Sequence, residues 1–326
     1  TEARILYEIK GKRGGIMEYH IIVINIFLIF ALILVGFVAG KAHLVSEQAS
    51  KDLSAILVEI TLPASIFSSM LRELETDLLI NAALLFFIGF ACLALEYGAG
   101  RLLVKFFRIR KENQGLFLYN SMFTNASFMG FPVANAIFGS VGVFLASIVN
   151  LSLTITTFSF GIGLVRGDQE SKEKFSLRKN VFTNINIAII LGMICFLTGF
   201  RFPEPAENFI AYFANVTTPM SMLVVGLNMS KGRARDLMTD RDAHLLTITR
   251  LIVMPLLLFG ILKLLPLGAY PLVAQMILVV FAMPVPALCL ILSEKYGGNT
   301  QFAVTTIFQT TLFSIVTIPL LLLLIV

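Results

Sequence analysis

The sequence predicts an all-α polytopic membrane protein with two related halves. Its 326 residues are 57% hydrophobic and 14% charged, with a mean hydropathy of +0.87, which is too little charge for the surface of a soluble protein. Apolar runs of about 20 residues, long enough to cross a hydrocarbon layer about 30 Å thick, recur along the chain. Two motifs also recur: residues 61–65 (TLPAS) resemble 217–221 (TTPMS), and 130–132 (GFP) resemble 284–286 (PVP).

The apolar runs and the charged segments between them predict ten membrane spans. The fourth and ninth spans differ from the others because they contain polar and helix-breaking residues. Broken helices at matching positions in two halves are typical of secondary transporters, in which the substrate binds at the breaks. The predicted spans are residues 21–40, 53–71, 78–97, 116–138, 141–165, 181–199, 209–229, 245–265, 273–292 and 302–326.

The charged loops predict the orientation of these spans. Most lysines and arginines lie in loops after odd-numbered spans, whereas the loops after even-numbered spans contain only Arg72, Arg201 and Lys263. Because basic residues are enriched in short cytoplasmic loops, the odd-numbered loops are predicted to be cytoplasmic and both termini to lie outside. Each half has five spans, so the second half enters from the opposite side and forms an inverted repeat. Basic residues placed in this way do not indicate a nucleic-acid partner.

These patterns divide the chain into four parts. Residues 1–16 are polar, precede Met17, and are expected to be a non-native or overlong tail. Residues 17–165 form the first five-helix repeat, and residues 181–326 form the second. Residues 166–180 between them are a charged cytoplasmic linker, too short to be a separate domain.

The fourth span contains the polar residues that best indicate a binding site. Its candidates are Asn120, Ser121, Thr124 and Asn125. Such side chains are costly in a membrane span unless they face a cavity or another helix. We interpret them as substrate-binding residues. The alternative is that they only join neighbouring helices.

Prolines interrupt both the fourth and the ninth span. Pro132 lacks a backbone donor and clashes with the preceding turn, and Gly130 adds flexibility beside it, so the helix is predicted to unwind there. A half-helix that begins after Pro132 would point unpaired N–H groups at an anion. Pro284 and Pro286 predict a second break that crosses the first, and the backbone at these four positions completes the predicted substrate site.

Ionisable residues inside spans are further candidates because charge is costly in a membrane. Glu59 lies one turn before Pro63, and burial would make it a candidate proton-coupling site. The alternative is a structural carboxylate that pairs with a residue such as Asn228. Glu96 and Arg250 lie nearer to span ends and are expected to reach the interface or to pair there.

Other classes of function have little support in the sequence. The cysteines, Cys92, Cys195 and Cys289, lie singly in apolar segments, and the three histidines lie far apart at span edges. The sequence therefore predicts no metal site, no cofactor and no enzyme activity. Gly36 and Gly40 form a G-x-x-x-G pair that would pack helices closely or support a homodimer.

Three motifs resemble those of the auxin efflux carrier family. Residues 125–132 (NASFMGFP) match its N-x-x-F-x-G-x-P signature, 62–67 (LPASIF) its second-helix motif, and Pro284 with 294–297 (EKYG) its ninth-helix region. The resemblance covers essentially all of residues 17–326. It implies inverted repeats of the bile-acid-carrier or NhaA type. In this architecture helices 1, 2, 6 and 7 form a scaffold, and helices 3–5 and 8–10 form a transport domain that moves as an elevator.

The family resemblance also implies an organic-anion substrate that Asn125 contacts. Many relatives have an asparagine after the ninth-helix proline, where this chain has Leu288. We therefore predict a secondary transporter, expected to export a small auxin-like or dicarboxylate anion, in the lipid of the bacterial inner membrane. An inside-negative potential would drive such export without a coupling ion. The alternatives are a proton- or sodium-coupled organic-anion symporter and, more remotely, a membrane-embedded enzyme.

Overall fold

The protein is helical throughout the part that the structure describes. A computed structural model describes residues 15–166, 183–230, 239–268 and 270–322, and no β-strand occurs among them. Residues 1–14 of the predicted tail and 167–180 of the predicted linker lie outside these ranges. Six helical stretches are long and apolar enough to cross a membrane: Glu47–Met70, Thr76–Phe107, Lys111–Arg166, Glu204–Ser230, Arg241–Leu264 and Thr300–Leu321. The polytopic helical class is thus confirmed, and the ten crossings and the inverted order stay predictions.

We number the described helices along the chain. α5 is bent at Gly139, whose φ of 60° favours glycine, and this bend lies between the predicted fourth and fifth spans. The helices are α1 Gly15–Lys41, α2 Glu47–Met70, α3 Thr76–Phe107, α4 Lys111–Met122, α5 Phe131–Thr156, α6 Ile162–Arg166, α7 Asn184–Thr198, α8 Glu204–Ser230, α9 Arg241–Leu264, α10 Pro271–Phe281, α11 Leu288–Tyr296 and α12 Thr300–Leu322.

Wide π-helical turns carry the chain through three of its prolines. The turns Leu57–Thr61, Ala126–Gly130 and Thr249–Val253 each end two residues before a proline. A proline ring clashes with the carbonyl four residues earlier, and in all three cases that carbonyl lies within the wider turn. Because the π-helical turn relieves the clash, Pro132 lies inside a continuous helix. The sequence prediction that the chain unwinds at Pro132 is therefore wrong.

α1 and α8 pack with their backbones in contact. A Cβ atom on Gly36 would lie 2.3 Å from the carbonyl oxygen of Leu223, and one on Gly40 would lie 2.0 Å from Oγ of Ser230. On the opposing helix, a Cβ atom on Gly226 would lie 2.0 Å from the carbonyl oxygen of Ile33. The G-x-x-x-G pair therefore serves a helix contact within this chain.

The two matched Thr-Pro motifs also lie side by side. Oγ1 of Thr217 in α8 donates a 2.7 Å hydrogen bond to the carbonyl oxygen of Thr61 in α2. Thr61 is the last residue of the π-helical turn before Pro63. The contact joins equivalent positions of the two predicted halves.

Phenylalanine side chains are buried at the centre of the bundle and exposed at its periphery. Phe117 of α4, Phe144 of α5 and Phe281 of α10 are completely buried. By contrast, Phe27 of α1 and Phe209 of α8 are 70% and 62% exposed. In a protein that crosses a membrane such exposed apolar side chains contact lipid, so α4, α5 and α10 form the centre and α1 and α8 lie outside.

Candidate functional site

Two helix breaks meet at the centre of the bundle. The first, at 123–125, separates α4 from the turn Ala126–Gly130, and the second, at 282–287, separates α10 from α11. The backbone N–H of Asn125 donates a 2.8 Å hydrogen bond to the carbonyl oxygen of Pro284. Val285 in the second break donates its N–H to Oγ1 of Thr310 at 3.2 Å. The breaks thus bond directly to each other and to α12.

Asn125 starts the helix after the first break. Its backbone angles are non-helical (φ −78°, ψ 61°), and its Oδ1 accepts a 3.2 Å hydrogen bond from the N–H of Phe128. This is the N-cap arrangement, in which a side-chain oxygen binds a free N–H of the first turn. The positive end of the half-helix therefore lies at Asn125, seven residues before the position that Pro132 predicted. Gly130 has ordinary helical angles (φ −62°, ψ −46°).

Arg250 binds the carbonyl groups that the breaks leave free. It is completely buried in the π-helical turn of α9. Its Nη1 donates to the carbonyl oxygen of Ser121 at 2.7 Å, its Nε to that of Met283 at 3.2 Å, and its Nη2 to that of Phe281. Carbonyls in the last turn of a helix lack intrahelical partners and carry partial negative charge. One guanidinium group thus caps the C-terminal ends of α4 and α10.

Glu96 of α3 completes this arrangement. Its side chain is 0% exposed, and its two carboxylate oxygens lie 3.4 and 3.3 Å from Nη1 of Arg250. The pair keeps the interior electrically neutral, which matters because an unpaired buried charge is very costly. The two residues pair, as one of the two expectations held, but neither reaches the surface of the bundle, because both side chains are 0% exposed.

A cavity of about 120 Å³ opens beside the breaks, too large for a single water molecule. The first break contributes Phe123, Thr124 and Asn125 to its lining, and the second break contributes Pro286 and Ala287. Its remaining lining comes from the following residues of α4, α5, the turns around them and the start of α11: Tyr119, Ser127, Phe128, Asn150, Leu153, Thr154, Thr157, Phe158 and Leu288. None of these lining residues is basic, acidic or a histidine.

Two hydroxyl groups at this cavity have no hydrogen-bond partner among the described residues. They belong to Tyr119, which is 0% exposed, and Thr124, which is 6% exposed. Buried hydroxyls are normally paired, because an unpaired one loses the bonds that water would supply. Both side chains line the cavity, so their hydroxyls are candidate donors to an acceptor there, and the Tyr119 hydroxyl also interacts with the side chain of Thr157.

The predicted substrate-binding residues fall into two groups. Thr124, Asn125 and Pro286 line the cavity. The others, Asn120, Ser121, Gly130, Pro132 and Pro284, do not line it. Nδ2 of Asn120 donates to Oγ1 of Thr306 at 3.3 Å, and the hydroxyl of Ser121 donates to the carbonyl oxygen of Phe117 at 2.7 Å. These two side chains make contacts between or within helices, which was the alternative interpretation.

The sequence prediction missed several cavity residues. Tyr119 lies next to the predicted Asn120, and Asn150 and Thr157 belong to the next helix and the turn that follows it. Asn150 is a polar residue in an otherwise apolar run, and this signal could have been used. The position of Tyr119 on the cavity depends on the rotation of α4, which no pattern in the sequence shows.

Glu59 lies away from this cavity and is exposed. Its Oε2 accepts a 2.5 Å hydrogen bond from Nδ2 of Asn184 in α7. Asn228, the partner considered from the sequence, instead accepts a 3.5 Å hydrogen bond from Ser50. Glu59 is therefore not buried, as a coupling site was expected to be. The buried acid beside the breaks is Glu96.

Comparison with known proteins shows which family this chain belongs to. A family model described as "membrane transport protein" matches residues 21–322. The chain belongs to this family. It is the auxin efflux carrier family that the motifs at 62–67, 125–132 and 284–297 predicted, and the prediction is confirmed. The protein is accordingly a multi-pass membrane transporter.

Similar proteins of this transporter family occur in archaea and bacteria. An uncharacterised transporter of Methanocaldococcus jannaschii is 26% identical over 301 residues, which cover 90% of this chain and 96% of that protein. The uncharacterised transporter YfdV of Escherichia coli is 21% identical over 313 residues, covering 90% and 94%. A lysosomal cholesterol signaling protein of Mus musculus is 26% identical over 264 residues, which are 73% of this chain but 29% of that protein.

Proposed function

We propose that this auxin efflux carrier family member carries a small organic anion across the inner membrane without a coupling cation. The observation that carries the proposal is the buried Arg250. In transporters with broken helices, unwound carbonyls and the C-terminal ends of half-helices coordinate the coupling cation. Here the carbonyls of Ser121, Phe281 and Met283 accept hydrogen bonds from the guanidinium group instead. A cation fixed to the protein therefore replaces one taken from solution.

The cavity favours a monocarboxylate with an apolar body. The hydroxyls of Tyr119 and Thr124 and the amide of Asn125 supply donors for one carboxylate. Phe123 and Phe128 supply aromatic surface for the rest of the substrate. A second carboxylate would find no basic side chain in the lining, and an unpaired charge is costly away from water. Of the two predicted substrate types, the auxin-like anion therefore fits better than the dicarboxylate.

The membrane potential is the proposed driving force. Moving one negative charge out of a cell with an inside-negative potential releases roughly 2.3 kcal/mol per 100 mV. Export of a monoanion then needs no ion gradient. The basic loops support the proposed orientation, with the odd-numbered loops in the cytoplasm and both termini outside.

We further propose that the ten predicted spans form two inverted repeats and move as an elevator. The close packing of α1 against α8, and the contact of Thr217 with Thr61, support a rigid scaffold. Contacts made by Arg250 and Glu96 tie α3, α4, α9 and α10 together, which supports a transport domain that moves as one body. A homodimer stays a proposal that flux measurements do not test.

The experiment measures uptake of labelled indole-3-acetate and, separately, labelled malate into proteoliposomes. A potassium diffusion potential is imposed first, and then a proton or sodium gradient at zero potential. We expect potential-driven flux of indole-3-acetate that Asn125→Ala abolishes. Asn135→Ala is the matched control, because Asn135 is an exposed asparagine of the same region that does not line the cavity. Flux that requires a proton or sodium gradient would overturn the uncoupled mechanism.

A coupled symporter remains the second candidate because of one observation: Glu96 is a buried carboxylate next to the breaks. Protonation of Glu96 would weaken its pairing with Arg250 and so provide a route for proton coupling. A Glu96→Gln variant that is folded and has lost a pH-dependent flux would favour this candidate. Unchanged pH dependence in that variant would favour the uncoupled carrier.

A further inference from the structure

A second cavity lies at the far end of α3, away from the helix breaks. It measures about 690 Å³ and is lined by the end of α3, the link to α4 and the first turns of α4. Three of its lining residues are basic: Arg101, Lys105 and Arg108. All three are exposed. We call this cavity the basic cleft.

These basic residues are not explained by ion pairs within the described structure. Arg101 donates from Nη1 to the hydroxyl of Tyr97 at 3.2 Å, and no described acid pairs with Arg101, Lys105 or Arg108. Arg110, which follows the lining residue Ile109 but does not itself line the cleft, is different. It pairs with Asp242 at 2.8 Å and with Asp240, and these bonds raise the pKa of the Arg110 guanidinium.

Capping of the helix end does not explain the cleft residues either. Basic side chains often bind the last carbonyls of a helix. At the end of α3 the backbone does this: the N–H of Arg108 donates to the carbonyl of Lys105 at 3.4 Å, and that of Ile109 to the carbonyl of Val104 at 3.1 Å. Arg108 holds left-handed angles (φ 52°, ψ 52°) to make this turn. The basic side chains are therefore left to face the cleft.

The cleft lies where a membrane protein meets phospholipid headgroups. α3 has 32 residues, about 48 Å at 1.5 Å per residue, whereas the hydrocarbon layer is about 30 Å thick. Because the third predicted span ends at residue 97, this excess length is expected in the last turns of α3, beyond the hydrocarbon layer. Leu102 and Phe106, on the same turns as the basic residues, are 71% and 78% exposed. A ligand here would meet cations and apolar surface together, as an anionic lipid does.

We propose that the basic cleft binds the headgroup of an anionic phospholipid. Its phosphate would lie among Arg101, Lys105 and Arg108, and its acyl chains would lie along Leu102 and Phe106. The amide of Gln114 donates one N–H to the carbonyl oxygen of Ile109 at 2.9 Å and has a second N–H for the phosphate. Basic pockets of this kind on the cytoplasmic side of membrane proteins suit acidic headgroups. The proposal requires that the chain spans a membrane, and it is independent of which substrate the transporter carries.

The test uses the purified full-length protein in mild detergent. Phosphatidylglycerol, phosphatidylcholine and inorganic phosphate are titrated separately, and bound lipid is followed by native mass spectrometry and thermal unfolding. We expect phosphatidylglycerol to bind and to raise Tm, and the other two to do neither. The triple variant R101Q/K105Q/R108Q should bind phosphatidylglycerol about 100-fold more weakly.

The matched control removes three cations of the same predicted membrane side that do not line the cleft: K41Q/K51Q/K111Q. It should bind phosphatidylglycerol as the unchanged protein does. Equal binding of phosphatidylcholine, or an equal loss of binding in the control, would overturn the proposal. Stabilisation by inorganic phosphate alone would assign the cleft to a free anion and would also overturn a lipid site.

Discussion

The two helix breaks at the centre of this transporter face each other but are stabilised in opposite ways. At the first break, Asn125 starts a new helix and its side chain binds the N–H of Phe128. At the second break, the carbonyls of Phe281 and Met283 are bound by Arg250. The first break thus has a positive helix end beside an open cavity, and the second has the negative end of α10, already bound by a cation that also caps the end of α4. This difference is the basis of the proposal that an anion binds from solution without a coupling cation.

The largest expected effect comes from removing the cation of the second break. Arg250→Leu leaves Glu96 as an unpaired buried charge, which costs about 3–5 kcal/mol. We expect a large fall in Tm or loss of folded protein, measured by thermal unfolding in detergent. The double variant Arg250→Leu/Glu96→Leu should recover much of the stability without recovering flux, because the three carbonyls remain unbound.

Full flux in the double variant would contradict this prediction. It would show that the carbonyls of Ser121, Phe281 and Met283 need no cation. Arg201→Gln is the control for loss of an arginine, since Arg201 is exposed, lines neither cavity, and makes a surface ion pair with Glu207 of the kind that contributes little stability.

The next effect separates the two roles of Asn125 at the first break. Asn125→Ala removes the N-cap, at a cost of about 0.5–2 kcal/mol, and removes the cavity amide. Asn125→Asp keeps an oxygen cap that suits the positive helix end, but it places a negative charge beside the substrate. We expect Asp to preserve Tm and abolish anion flux, and Ala to lower both. If the Asp variant transports normally, the amide does not bind the substrate.

A smaller effect is expected from removing one hydroxyl at the cavity, that of Tyr119. Tyr119→Phe removes a buried hydroxyl that makes no well-formed hydrogen bond among the described residues and interacts only weakly with Thr157, so we expect Tm to change little. A lost hydrogen bond of about 0.5–1.5 kcal/mol should raise KM for the anion roughly 2- to 13-fold. A lower Tm with an unchanged KM would assign the hydroxyl to the fold instead. Thr310→Val gives the contrast, because its hydroxyl accepts the N–H of Val285 and its loss should lower Tm.

The smallest effect is expected at Glu59, which lies outside both breaks. Glu59→Gln keeps an oxygen that can accept the hydrogen bond from Asn184. Flux and its dependence on pH, measured between pH 5.5 and 8, should not change. A variant that loses its pH dependence would restore Glu59 as a coupling site and would place coupling outside the central breaks.

Part of the candidate site could be predicted because the membrane makes polar residues conspicuous. Thr124 and Asn125 stand out in an apolar span, and Pro286 marks the second break. The position of the first break was predicted wrongly, since the π-helical turn Ala126–Gly130 carries the helix through Pro132. Tyr119 was missed because an aromatic residue in a span is normally a packing residue.

The sequence by itself determined the membrane class, the family and the two interrupted segments. These follow from local properties: the length of apolar runs, the positions of proline and the polar residues between them. Only the tertiary structure decided which charges are paired. Glu96 and Arg250 are 154 residues apart, and they meet because α3 and α9 both pack beside the breaks. Burial depends on all neighbouring helices at once, so Glu59 became a surface residue and Arg250 the cation at the centre.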